Sequence, residues 1–167
     1  MRRCAPSPWS PSREGRDGVL EGADQLEGRR REAAVVAVAK AGHPLVLSPA
    51  DRLYLDMKYD LAAKPGQAWA GLAPVKRAYS WNPGAYLARV AESSVVGVEA
   101  ALWTETIATR GDWKLMAFPR VLGLAELGWF PAGALDWTSY RVRLAAHGPR
   151  LDAQDIAYYQ APDVPWP

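Results

Sequence analysis

The order of apolar segments predicts an α/β chain, the closing part of an alternating helix–strand protein. Three observations carry that prediction. An Ala-rich stretch from Glu32 to Ala41 stops at Gly42 and gives way to a short apolar run between prolines, Pro44 to Pro49. A second, β-branched run, Val95 to Val98, follows a long stretch without periodicity. Further stretches at helical spacing then close the chain. Helix, glycine, strand is half of a βαβ unit, and long loops at the C-terminal ends of buried parallel strands commonly carry chemistry.

Taken in order, residues 1–31 mix Pro6, Pro8 and Pro11 with Ser, Gly and a run of arginines, Arg29 to Arg31. Their slight apolar periodicity predicts irregular backbone, so the folded unit is expected over 32–167. Glu32 to Ala41 reads as a helix by Ala propensity and its glycine stop. Leu45-Val46-Leu47 reads as a buried strand. Ala50 to Pro83 lacks periodicity and is expected to be a functional loop. Pro83 to Val90 reads as a short helix, and Val95 to Val98 as a strand covered on both faces. Asp112 is the expected N-cap of a helix through Phe118. Pro119 then kinks that helix or opens a second one, Arg120 to Leu127, stopping at Gly128. Leu115, Phe118, Leu122 and Leu127 supply a partial apolar face. Asp136 to His147 is a further helix, and the aromatic, proline-rich tail from Ala157 is expected to lie extended across a surface.

The bulk numbers narrow the function. The chain has 167 residues, 49% hydrophobic and 23% charged, as in a single soluble globular domain with a sizeable core. A formal net charge of +2 gives no reason to expect nucleic acid. One cysteine, Cys4, excludes an internal disulfide and a cysteine-built metal site. His43 and His147 lie near no second ligand and are read as structural or exposed. No apolar run is long enough to span a membrane, and Met1 to Pro6 lacks the apolar centre of a secretory signal. Tryptophan is the outlier, with 8 against 2 phenylalanines. Its large apolar face and N–H donor suit a sugar platform as well as a core.

Trp103 and Glu105 lie two residues apart just after the second strand. In extended backbone they would face one side together, a flat apolar face beside an acceptor carboxylate. A pyranose needs both, because its C–H face stacks and its hydroxyls donate. A core aromatic beside a solvated Glu is the equally simple alternative.

Longer motifs add a family. Tyr54-Leu55-Asp56-Met57-Lys58-Tyr59-Asp60 resembles a segment of the family 20 glycoside hydrolases, the β-N-acetylhexosaminidases. So do Trp69-Ala70-Gly71, Gly97 to Ala100 with Leu102 to Glu105, Phe118-Pro119-Arg120, Ala125 to Trp129, and Pro165-Trp166. The match runs in order from about Ala37 to the last residue. The resemblance implies a (β/α)8 barrel, of which this chain would hold an incomplete C-terminal portion. It implies removal of terminal β-linked N-acetylglucosamine or N-acetylgalactosamine with retention, the substrate's acetamido carbonyl acting as nucleophile, and no metal or cofactor. An Asp-Glu pair orients that acetamido group and protonates the leaving oxygen. By the same pattern Tyr54 would hydrogen-bond the acetamido oxygen and Asp56 would contact ring hydroxyls. Trp103 would wall the acetamido pocket, Glu105 would accept from hydroxyls, and Trp69 would line the leaving-group side. Trp81, Trp113, Trp129, Trp137 and Trp166 are read as packing residues, and Arg120 and Glu126 as structural.

The pattern breaks in two places. No Asp-Glu dipeptide occurs in the chain. Where Gly15 to Gly22 faintly matches the family's segment around its first pocket tryptophan, Arg16 stands instead, and no Trp lies between Trp9 and Trp69. A desolvated charge cannot replace an indole wall. The expectation is therefore the C-terminal part of a hexosaminidase, inactive alone and completed by an N-terminal half. A non-catalytic amino-sugar-binding module and a non-functional remnant are the alternatives. Localisation is not legible, although the family is commonly exported.

Overall fold

The computed structural model describes residues 32–167, so the irregular segment expected over 1–31, with Arg16, lies outside the described residues. Helix α1 spans residues 32–40. It closes as its sequence predicts: Gly42 takes φ +84°, its N–H donates to Ala39 O and the His43 N–H to Val38 O. Only glycine adopts that backbone without strain.

Strand β1 (Leu45–Leu47) pairs in parallel with β2 (Val95–Val98), with Leu45 opposite Val95 and Leu47 opposite Val98. Between them come two short helices, α2 (Ala50–Leu53) and α3 (Val75–Tyr79), in a stretch expected to be irregular. Each starts just after a proline, Pro49 or Pro74, and is too short to show a helical repeat in sequence. The helix expected from Pro83 to Val90 is a single 3₁₀ turn, Pro83–Ala85, capped by the Asn82 side chain. The strands are covered on one face only. Leu47 is buried and Val98 lies against Gly128, whereas Val46 and Val96 are exposed. With no layer over the second face among the described residues, the two-sided burial expected of β2 is not realised.

Helix α4 (Arg110–Ala117) is capped by Thr109, not by Asp112. Asp112 stands three residues on and closes a capping box, accepting from the Thr109 N–H at 3.0 Å while Thr109 Oγ1 accepts from the Asp112 N–H at 3.1 Å. After the cis Phe118–Pro119 bond, α5 (Arg120–Trp129) runs through Gly128 instead of stopping there. It ends where Pro131 forces Phe130 into extended backbone. Helix α6 (Trp137–Ala145) is capped by the Asp136 carboxylate, and α7 (Gly148–Ala153), unforeseen, follows with proline in its first turn.

The main core joins Tyr59, Val75, Tyr79, Met116, Tyr140 and Leu144. Tyr79 stacks on Tyr140 at 4.0 Å, and Tyr59 on Tyr159 at 4.2 Å. The tail does not merely cross a surface: Ala161 and Val164 are buried in this core, and the Tyr159 hydroxyl donates to Asp60 at 2.6 Å. Trp81, Trp137 and Trp166 pack as expected. Trp113 and Trp129 do not. Trp129 is 88% exposed at the end of α5. Glu126 is structural, accepting from the Tyr79 hydroxyl and pairing with Arg143.

Candidate functional site

Beyond the ends of the strands, the two chains keep running side by side. Glu99 N–H donates to Leu47 O at 2.9 Å, and Leu55 N–H to Ala101 O at 2.7 Å, where Tyr54 and Ala101 form an isolated parallel bridge. This places Tyr54 to Met57 and Ala101 to Trp103 at one edge, the C-terminal edge of the parallel pair. Four of the five expected site residues come directly from these two segments or the turn after them.

Tyr54 lies at the centre. Its ring meets the edge of Trp69 at 6.0 Å and 79°, and lies 6.1 Å from Trp103 at 56°. Tyr54 itself is buried, and Trp69 and Trp103 remain 67% and 48% exposed. A buried phenol in contact with two partly exposed indoles forms an aromatic shelf. The second small core, Tyr54 with Met57 and Ala73, supports it from beneath. Trp69 reaches the shelf from a separate loop. That loop is pinned by a pair of bonds, Gln67 N–H to Asp56 O at 2.7 Å and Lys58 N–H to Gln67 O at 2.8 Å.

Asp56 is 2% exposed, and its Oδ1 accepts from the Trp103 N–H at 3.4 Å. Burial pushes its carboxyl above the ordinary value; its own N–H and that of Trp103 pull it back, the Glu105 charge raises it and Arg120 lowers it. Glu105 is thus near enough for its charge to act on Asp56. It does not continue an extended run from Trp103, however: it begins a turn closed by the Ile107 N–H to Thr104 O bond at 3.1 Å. The turn, not strand alternation, sets where Glu105 lies. The next residue, Thr106, accepts from Gly66 N–H at 2.8 Å and ties the Trp69 loop to this one.

Gly66 and Arg120 also belong to this framework, and the sequence did not single out either as a site residue. Gly66 takes φ +106°, and a Cβ there would meet Asp56 O at 2.8 Å and Met116 Cε at 2.7 Å. Only its position in Lys64-Pro65-Gly66, a turn signal, could have marked it. Arg120 is 2% exposed and donates to the carbonyls of Met57, Leu55, Ala73 and Met116. Arg120 lies within the motif Phe118-Pro119-Arg120 but is read there as structural.

Chemically, the rim offers indole faces tilted 79° and 56° from the Tyr54 ring, a buried carboxylate and an exposed one. That set suits a polyhydroxylated ring with an apolar face. Two clefts lie away from it, one of about 450 Å³ beside Lys114 and Asp155 and one of about 160 Å³ between Val96 and Phe130. Among the described residues no cluster of His, Cys, Asp and Glu could hold a metal ion.

The description "Glycosyl hydrolase family 20, catalytic domain" fits residues 25–132. A β-N-acetylhexosaminidase of Cellulomonas fimi is 40% identical over 135 residues, covering 81% of this chain and 27% of that protein. The solved β-N-acetylhexosaminidase of Streptomyces coelicolor superposes with a TM-score of 0.81 at 50% identity, over 83% of this chain and 28% of that one. A mutant Streptomyces plicatus β-hexosaminidase in complex with its product GlcNAc superposes at 0.79 with 49% identity, over 81% and 27%. The chain therefore spans about a quarter of the length of these relatives. Two parallel strands with flanking helices are, in that setting, part of a (β/α)8 barrel, with the Tyr54 rim at the strand ends where such barrels carry their sites. From its motifs to its backbone, this chain belongs to glycosyl hydrolase family 20.

Proposed function

We propose that this chain supplies the sugar-holding rim of a retaining β-N-acetylhexosaminidase and does not cleave glycosides alone. What carries the reading is the convergence on Tyr54: Trp69 and Trp103 flank its ring, and Asp56 is bound to the Trp103 backbone. In this role the Tyr54 hydroxyl donates to the acetamido oxygen as that oxygen gains charge. A buried donor of this kind is worth about 3 kcal/mol in a transition state. Trp103 walls the acetamido methyl, and Trp69 lines the leaving-group side. Asp56 and Glu105 accept from ring hydroxyls, and two acceptors at fixed positions read hydroxyl stereochemistry.

The substrate is a glycan ending in β-linked N-acetylglucosamine or N-acetylgalactosamine. The sugar's own acetamido carbonyl attacks its anomeric carbon, and an Asp-Glu pair orients that group and protonates the leaving oxygen. No Asp-Glu dipeptide occurs in this chain. Loss of the general acid alone removes about 10²- to 10⁴-fold of rate. In this reading the pair comes from a complementary polypeptide completing the barrel. A non-catalytic amino-sugar binder is the second reading, and the same missing pair favours it.

Release of a chromogenic aglycone from an N-acetylglucosaminide, measured beside calorimetry with free N-acetylglucosamine, tests the proposal. Saturable sugar binding without turnover is expected. Turnover by the pure chain contradicts the inactivity, and absence of any binding contradicts the rim.

A further inference from the structure

We propose that Arg120 is a positioning residue for the sugar-holding rim: its guanidinium clamps the peptide carbonyls on both sides of Asp56 and so fixes where that carboxylate points. The proposal rests on the reading of Asp56 as a hydroxyl acceptor given above.

The geometry is unusual for an arginine that merely packs. Nη2 donates to Leu55 O at 2.5 Å and Nη1 to Met57 O at 2.7 Å, the residues immediately before and after Asp56. The remaining donors reach Ala73 O at 3.0 Å and Met116 O at 2.9 Å. One planar group thus joins the Asp56 segment, the end of the loop that bears Trp69, and helix α4. Beneath it lies the Tyr59 ring, 3.8 Å from the guanidinium carbon. Tyr59 is held in turn by Met116 O and Phe118 O.

A buried cation is a costly way to hold a fold together. Among the described residues no carboxylate forms an ion pair with Arg120, and its Nε has no hydrogen-bond partner. Apolar side chains of similar volume commonly serve stability as well or better at such places. What they cannot do is present five donors in a rigid fork beside a buried acid. The charged groups that face Asp56 are Glu105, which disfavours its ionisation, and Arg120, which favours it. The Arg120 charge works against that of Glu105 at Asp56, although burial outweighs both.

The test has two readouts. In the unaltered chain, the carboxyl carbon of Asp56 and the guanidinium nitrogens of Arg120 are followed by nuclear magnetic resonance through an acid titration. One shared midpoint is expected; an Arg120 signal that ignores the Asp56 titration overturns the proposal. Arg120→Lys keeps the charge and loses the fork, and its N-acetylglucosamine affinity should fall about tenfold with the acid limb of the pH profile unmoved. Arg120→Met should move that limb to higher pH. Folded variants that hold the sugar as the unaltered chain does, limb included, overturn the proposal. Should either variant fail to fold, the titration of the unaltered chain decides. A shared midpoint in a chain that binds no sugar leaves Arg120 in place as the Asp56 clamp and sinks the functional reading instead.

Discussion

Asp56 sets function against stability within one side chain. Because burial raises its carboxyl above the ordinary value, the folded chain holds that proton more tightly than the unfolded chain does. Linkage then gives the sign: the stability this group contributes is greatest in acid and falls as pH rises from the unfolded value to the raised folded one. Asp56→Asn keeps an oxygen to accept from the Trp103 N–H and removes the charge. We expect it to melt no lower than the unaltered chain at neutral pH. Its N-acetylglucosamine affinity should drop ten- to a hundredfold, on the order of a hydrogen bond to a charged group. Thermal melts at neutral and mildly acidic pH, beside calorimetry, check both halves. At this scale Tyr54, Asp56, Trp103 and Glu105, each inside a motif of the sequence, lie with Trp69 at or beside one rim. Arg120 was not legible as part of it, because its partners are backbone carbonyls up to 65 residues away, which no local pattern encodes.

At the level of elements, the longer helices were readable in place, though not at every cap and stop, and the short ones were not. The Gly42 stop and the Asp136 helix start hold because one residue decides each, Gly42 by its positive φ and Asp136 by its carboxylate. Helices α2 and α3 have too few residues for a period, and only tertiary packing stabilises them. From sequence Asp112 reads as the N-cap that Thr109 supplies, since both are good N-cap residues and the choice depends on where the turn before them ends. Asp136 caps α6 by accepting from Thr138 N–H and Ser139 N–H. Asp136→Ala should cost about 1 kcal/mol in denaturant unfolding, without altering sugar affinity. Gly66→Ala should do more. Positive φ and a Cβ against the Asp56 carbonyl together predict a loss of about 2 kcal/mol or more, with weakened sugar binding because Asp56 itself must shift. Unfolding curves and calorimetry on the pair distinguish a remote cap from a loop that supports the rim.

Among the described residues the molecule, taken whole, is well packed on its helix side and open on the other face of the strand pair. Its two strands expose Val46 and Val96, and Trp129 and Phe130 stand exposed where α5 ends. Exposed apolar surface of this kind is suited to contact with other polypeptide or with a ligand. Because Trp129 touches little, Trp129→Ala should change the stability of this chain by no more than about 0.5 kcal/mol. A large loss in denaturant unfolding would mean that the indole is covered in solution. The (β/α)8 setting was legible only through motif resemblance, because two short strands and their helices would suit many α/β folds. A proton–nitrogen correlation spectrum recorded through a titration with N-acetylglucosamine tests the shared rim. Saturable shifts confined to the indoles of Trp69 and Trp103 and the amides around Tyr54, Asp56 and Glu105, and absent with glucose, are predicted. Shifts elsewhere with that rim silent would contradict it.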